Sequence, residues 1–109
     1  MHELSITQSI VEAVTDKTGD RQVRRVELEV GKLAGVVADS VLFCFELVTE
    51  GTTLAGARLD IVEKAGRGTC RGCRADLELT TLIVLCDCGS ADVDVTEGTE
   101  LRIRSVEVV

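Results

Sequence analysis

At 109 residues, with a formal net charge of −7, the chain suits one compact domain with a small appendage. Its 45% apolar content supports a modest core and argues against wholesale disorder. Aromatics at 2%, an acidic balance and no apolar run of about 18 residues argue against a nucleic-acid partner and a membrane span.

The start, Met1-His2-Glu3-Leu4, lacks a basic stretch followed by a long apolar run. A cytoplasmic, reducing location is therefore expected. There, closely spaced cysteines bind metal or do redox chemistry more often than they form disulfides. Residues 4–18 read as a helix, with Ile6, Ile10, Ala13 and Val14 at helical spacing and Gly19-Asp20 as its stop. Residues 22–30 switch to period two. Val26, Leu28 and Val30 are expected inward, and Arg25, Glu27 and Glu29 toward water.

Gly31 and Gly35 bracket an irregular connection. Asp39-Ser40 is then the expected N-cap of a second helix over 40–50, with Val41, Leu42, Phe45 and Val48 apolar and Gly51 at its end. Cys44 falls inside it and reads as a buried small hydrophobe. Strands follow at 57–63, with Leu59 and Ile61 on one face, and at 99–108, with Leu101 and Ile103 inward. The phase slips near Ser105, where a bulge is expected. These elements predict an α+β fold, two helices on a small, mainly antiparallel three-stranded sheet. Residues 1–65 and 97–109 form it, and 66–96 form an inserted metal-binding module.

That module carries Cys70-Arg71-Gly72-Cys73 and, after twelve residues, Cys86-Asp87-Cys88-Gly89. Two cysteine pairs joined by a hairpin-sized spacer are the pattern of a zinc ribbon or knuckle. Zinc takes four thiolates at about 2.3 Å in a tetrahedron, which sets neighbouring sulfurs roughly 3.8 Å apart. The second pair is one residue short. On a straight strand its Cα atoms would stand about 6.6–7 Å apart, so the chain must bend at Asp87. Gly72 and Gly89 are expected to free the two turns. Arg67, Arg71 and Arg74 lie close enough to offset the thiolate charge. A redox pair and an iron site use the same residue types. A catalytic zinc fits less well, because four protein ligands leave no open position.

His2 is the only histidine, and it stands beside the first residue. Its plain reading is a solvated terminal side chain. A sharper one is a chelate: the Met1 amine, the His2 amide nitrogen and the His2 imidazole close a five- and a six-membered ring. With a fourth donor from Glu3 or water, that set suits square-planar Ni(II) or Cu(II).

Met1-His2-Glu3-Leu4-Ser5-Ile6, the cysteine module with Cys88-Gly89-Ser90, and the closing Glu100-Leu101-Arg102-Ile103-Arg104-Ser105-Val106-Glu107 together resemble the HypA/HybF nickel chaperones of hydrogenase maturation. The similarity runs over essentially the whole chain. It implies a nickel metallochaperone rather than an enzyme. Transported Ni2+ would sit on Met1, His2 and Glu3, with Asp39 as a further candidate, and structural Zn2+ on Cys70, Cys73, Cys86 and Cys88. The family's second pair is C-x2-C, so the C-x-C here departs from it without removing a ligand. The implied partners are a HypB-type nickel GTPase, the large subunit of a nickel–iron hydrogenase and, in some relatives, urease maturation factors. The chain itself is expected to be a monomer or weak homodimer. The competing function is a zinc-ribbon adaptor for protein or nucleic acid, or a four-cysteine iron electron carrier.

Overall fold

A computed structural model describes residues 2–109. In chain order the elements are α1 (Glu3–Thr18), β1 (Val23–Gly31), α2 (Ala38–Thr49), β2 (Arg58–Lys64), β3 (Gly66–Cys70), β4 (Asp76–Leu79), β5 (Val93–Glu97) and β6 (Leu101–Val108). The strands form two three-stranded sheets, ordered β2-β1-β6 and β4-β3-β5. The α+β class expected from the sequence is the one observed. The chain divides into two compact units. The first takes the chain up to Glu29, Val36–Val62 and Arg102–Val109; the second takes Val30–Gly35 and Glu63–Leu101.

In the first unit α1 packs on α2. The buried stripe of α1 is Glu3, Thr7, Ile10, Val11 and Val14, spaced three and four apart. Ala13, expected in that stripe, is exposed. Thr7 holds its place because its Oγ1 donates to Glu3 O at 2.6 Å, so no polar atom is stranded. Val26, Leu28, Val41 and Leu54 are fully buried. Each buried apolar side chain of this size contributes about 1.5–3 kcal/mol.

The expected cap of α2 is not used. Val37 is the N-cap residue and no side chain caps the helix; Asp39 lies in the first turn. A carboxylate there still complements the helix dipole. Cys44 is only half-buried, because it faces a depression instead of the core.

The outward face of the first sheet also departs from expectation. Glu29 is only 5% exposed. Arg102 Nε lies 2.7 Å from its Oε2, off the line needed for a directed hydrogen bond, so the attraction is coulombic. Arg104 pairs with Glu27, and Arg25 pairs with Glu27, Asp60 and Glu107. The half-buried positions of β6 are Ile103, Val106 and Val108, so its phase slips near Ser105 as expected. Leu101 is more exposed than expected, at 37%.

The second unit holds three strands where the sequence suggested only a ribbon or knuckle. Gly66, Gly68, Leu77 and Leu79 help set the β3–β4 register: Gly66 pairs with Leu79 and Gly68 with Leu77. β3 pairs with β5 on its other side, Cys70 opposite Val93, with an irregularity between Arg67 and Gly68. Within this unit a Cβ on Gly98 would overlap the backbone of Gly66, so glycine is required for the strands to approach.

Candidate metal centre

β3 ends on Cys70, and the chain reverses at once. The Arg74 N–H donates to Cys70 O at 2.7 Å, and the Cys70 N–H donates to Ala75 O at 2.9 Å. This tight loop delivers Cys70 and Cys73 to one side. The left-handed residue in it is Arg74, at φ 65°, and not Gly72 as expected. Gly72 matters for space: a Cβ there would come within 3.3 Å of Ser90 Cβ.

The second pair is folded by a turn. The Gly89 N–H donates to Cys86 O at 2.8 Å, and the Cys86 N–H donates to Ser90 O at 2.9 Å. Gly89 takes φ +93°, which other residues resist. The bend expected at Asp87 is this turn, and it overcomes the missing residue of the C-x-C pair. Ser90, which the sequence marked only as part of Cys88-Gly89-Ser90 and gave no structural role, also accepts the Asp92 N–H through its Oγ at 3.1 Å. Its sequence signal is a small polar residue just after a Cys-Gly turn.

The four sulfurs converge. Cys70 Sγ stands 3.6 Å from Cys88 Sγ, and Cys73 Sγ 3.6 Å from Cys86 Sγ. All four lie within 4.8 Å of one another. The cysteines are free, and 3.6 Å is far beyond a disulfide bond. It is close to the roughly 3.8 Å edge of a four-thiolate zinc tetrahedron. Cys70 and Cys86 are buried while Cys73 and Cys88 are exposed, so the site lies at the unit's surface.

The electrostatics favour a cation there. The Cys73 N–H lowers the Cys70 thiol to about 6, against the opposing effect of burial, with the Gly72 N–H and the Cys88 and Cys73 thiols assisting. The Cys88 N–H favours the Cys86 thiolate, but burial and the neighbouring sulfurs outweigh it and push Cys86 up to about 12. Cys88 is also raised: its bond from the Ser90 N–H is outweighed chiefly by the Cys70 sulfur. One thiolate forms readily and the next are held back by it, the behaviour of like charges sharing a site. A divalent cation removes that repulsion. The donor set and spacing therefore fit a closed four-thiolate metal site.

The expected nearby basic patch is partly committed elsewhere. Arg71 pairs with Asp92 at 3.3 Å and with Asp94 at 3.5 Å on the β5 side.

The other candidate site is in the first unit. Met1, whose amine was the expected first nickel donor, lies outside the described residues. His2 is exposed and immediately precedes α1. Glu3 is 7% exposed, and its Oε2 accepts the Val37 N–H at 3.2 Å. Glu3 and Asp39 line one open depression with Leu4, Ser40, Phe43 and Cys44. The structure thus brings Glu3 and Asp39 to one place although 35 residues separate them.

Residues 1–108 match the family model described as HypA, hydrogenase/urease nickel incorporation, metallochaperone. The chain is 49% identical over 109 residues to the hydrogenase maturation factor HypA of Geotalea uraniireducens, covering 99% of each chain. It is 44% identical over 108 residues to that of Nostoc punctiforme, covering 99% of this chain and 96% of the relative. Among solved structures, the solution structure of the Ni metallochaperone HypA from Helicobacter pylori aligns with a TM-score of 0.66 at 26% identity. That alignment covers 100% of this chain and 98% of the other.

Proposed function

Because this chain belongs to the HypA family of metallochaperones for hydrogenase and urease nickel incorporation, we propose that it binds Ni(II) at its N-terminus and hands it over during maturation of a nickel–iron hydrogenase. Members of the family are maturation factors and not enzymes. Nickel is the cargo. Its donors are the Met1 amine, the His2 amide nitrogen and the His2 imidazole, with Glu3 in the fourth position and Asp39 as the alternative. Three nitrogens in chelate rings plus one carboxylate satisfy square-planar Ni(II). The observation that carries this reading is the position of Glu3. It is anchored by the Val37 N–H and lines the depression that Asp39 also lines.

Zn2+ is the ion assigned to Cys70, Cys73, Cys86 and Cys88. It is redox-inert, accepts four thiolates and leaves no open position, so it holds the module instead of reacting. The division of labour is then between a nickel-binding part, residues 1–65 and 97–109, and a zinc-held part, residues 66–96. The spacer between the cysteine pairs exposes Leu82, Ile83 and Leu85, with Ile83 94% exposed. That apolar tip supplies a docking surface for the maturation machinery. The specific partners proposed are a HypB-type nickel GTPase and the hydrogenase large subunit, acting in the cytoplasm, with urease maturation factors as a further client.

Elemental analysis followed by nickel titration tests the assignment. Wild type is expected to carry one zinc per chain and to bind nickel tightly. His2→Ala, or acetylation of the Met1 amine, is expected to abolish tight nickel binding and keep the zinc. Unchanged nickel affinity in both refutes the site. A coloured protein with iron in place of zinc would refute the zinc assignment and support an electron carrier.

A further inference from the structure

α2 buries one face and leaves the opposite one open. Val41, Phe45 and Thr49 are buried. On the other side Asp39, Phe43 and Leu47 recur every fourth residue, with Glu46 and Glu50 beside them, and all five are exposed. The chain has two phenylalanines. Phe45 belongs to the core, whereas Phe43 is 65% exposed. Leu47, one turn on, is 53% exposed. Leu4 of α1 is also exposed and lines the same depression as Phe43. Neighbouring large apolar side chains left in water mark a surface that a partner covers, and an aromatic side chain is a frequent anchor in such contacts.

The surrounding charge indicates the chemistry of that partner. Asp39, Glu46 and Glu50 run beside Phe43 and Leu47, and no lysine or arginine occurs between Lys32 and Arg58. Among the described residues none of these three carboxylates is in an ion pair. The open face of the first sheet differs, since its carboxylates meet arginines. An apolar ridge flanked by unpaired carboxylates complements an apolar patch bordered by lysines or arginines and repels an acidic one. Position narrows the partner further. Phe43 and Asp39 line one depression with Glu3, the carboxylate of the nickel site proposed above. A protein seated on Phe43 and Leu47 therefore stands at the mouth of that site.

We propose that the open face of α2 is the docking surface for the nickel receiver, the metal-free large subunit of the hydrogenase, which meets it with an apolar patch bordered by lysines or arginines. The choice of receiver rests on the nickel reading of the N-terminus and on relatives that are hydrogenase maturation factors. Phe43 is the anchor, Leu47 and Leu4 extend the apolar contact, and Glu46 and Glu50 steer and orient the partner.

Binding of the zinc- and nickel-loaded full chain to the purified metal-free large subunit, followed by surface-based kinetics, tests this. Phe43→Ser and Leu47→Ser are each expected to weaken binding at least tenfold, with circular dichroism confirming the fold. Leu47 lies outside the depression, so Leu47→Ser should keep the wild-type nickel affinity. The double variant Glu46→Lys, Glu50→Lys should slow association at low salt, and the wild-type association rate should fall as salt rises. His2→Ala is measured in parallel for nickel and for docking. Loss of the large subunit in Leu47→Ser supports the surface whether or not His2→Ala loses nickel, so the two readings fail separately. A large subunit that does not bind the wild type, or that binds all these α2 variants as tightly as the wild type, overturns the proposal. So does a nickel GTPase or a second copy of the chain whose binding the Phe43 and Leu47 variants abolish while the large subunit still binds.

Discussion

The Glu3 carboxylate accepts the Val37 N–H at 3.2 Å, tying the first turn of α1 to the start of α2. A helix end leaves N–H groups without intrahelical partners, and here a residue 34 positions earlier supplies an acceptor. The same carboxylate is proposed as a nickel donor, so two roles must be separated. Glu3→Gln keeps an acceptor for Val37 and loses the charge. Nickel affinity should fall about tenfold, equivalent to about 1.4 kcal/mol, with the melting temperature little changed. Glu3→Ala should lose both, at a further stability cost of about 0.5–1.5 kcal/mol. Calorimetric nickel titration and thermal melts measure the two effects. Nickel affinity should also fall with falling pH, because protons compete for the nitrogen donors.

The cysteine cluster predicts proton release. In the metal-free chain at pH 7, Cys70, at about 6, is largely thiolate already, whereas Cys86, at about 12, and Cys88, also raised, keep their protons. Binding zinc must expel both of the latter. Titration calorimetry in two buffers of different ionisation enthalpy should report at least two protons released per zinc. The sign for Cys70 runs the other way from a raised group. Its folded value lies below the unfolded one of about 8.5. The contribution to metal-free stability is therefore fully present above that value and is lost as pH falls through about 6. Cys70→Ser should release the zinc and lower the melting temperature of the second unit's sheet.

The sequence exposed the parts of this molecule whose periodicity is driven by burial. Val26, Leu28, Ile10 and Val14 announce β1 and α1 because each spacing fits one buried face. The four cysteines were legible because ligand geometry fixes their spacing. β3, β4 and β5 were not legible as strands. They are four or five residues long, and their faces are set by glycines and a metal site instead of an apolar alternation. The cap of α2 was misread because its amide is satisfied by Glu3, a long-range contact that no local pattern encodes. Glu29 was misread because period two predicts which face a side chain takes, not whether arginines cover that face.

Gly98 is a position where the second unit has no room for a side chain. It takes φ +106°, and an added Cβ would overlap Gly66. Gly98→Ala combines left-handed strain, about 1–2 kcal/mol, with a backbone displacement where Leu33 N donates to Gly98 O at 2.8 Å. The expected result is a loss of at least about 2 kcal/mol in denaturant unfolding of the zinc-loaded protein. Gly19→Ala is the control: φ is also positive, at 62°, but nothing lies within 4 Å of the added methyl. It should cost only the conformational strain.

Arg102 and Glu29 test how much the outer charge ladder matters. Glu29 is 5% exposed, so its carboxylate depends on nearby cations more than a surface acid does. Arg102 is mostly exposed, and solvent screens its side of the pair. These opposing facts place the coupling between a surface pair and a buried one, at about 1 kcal/mol. A double-mutant cycle of Arg102→Ala and Glu29→Gln should return that value. Arg102→Ala alone should cost about 1–2 kcal/mol, because among the described residues the ion pair left to Glu29 is the longer one with Arg104, at 4.0 Å. Raising the salt concentration should shrink the coupling, since one partner stays in water. A coupling near zero at low salt would mean that apolar packing, and not the ladder, holds β6 against β1.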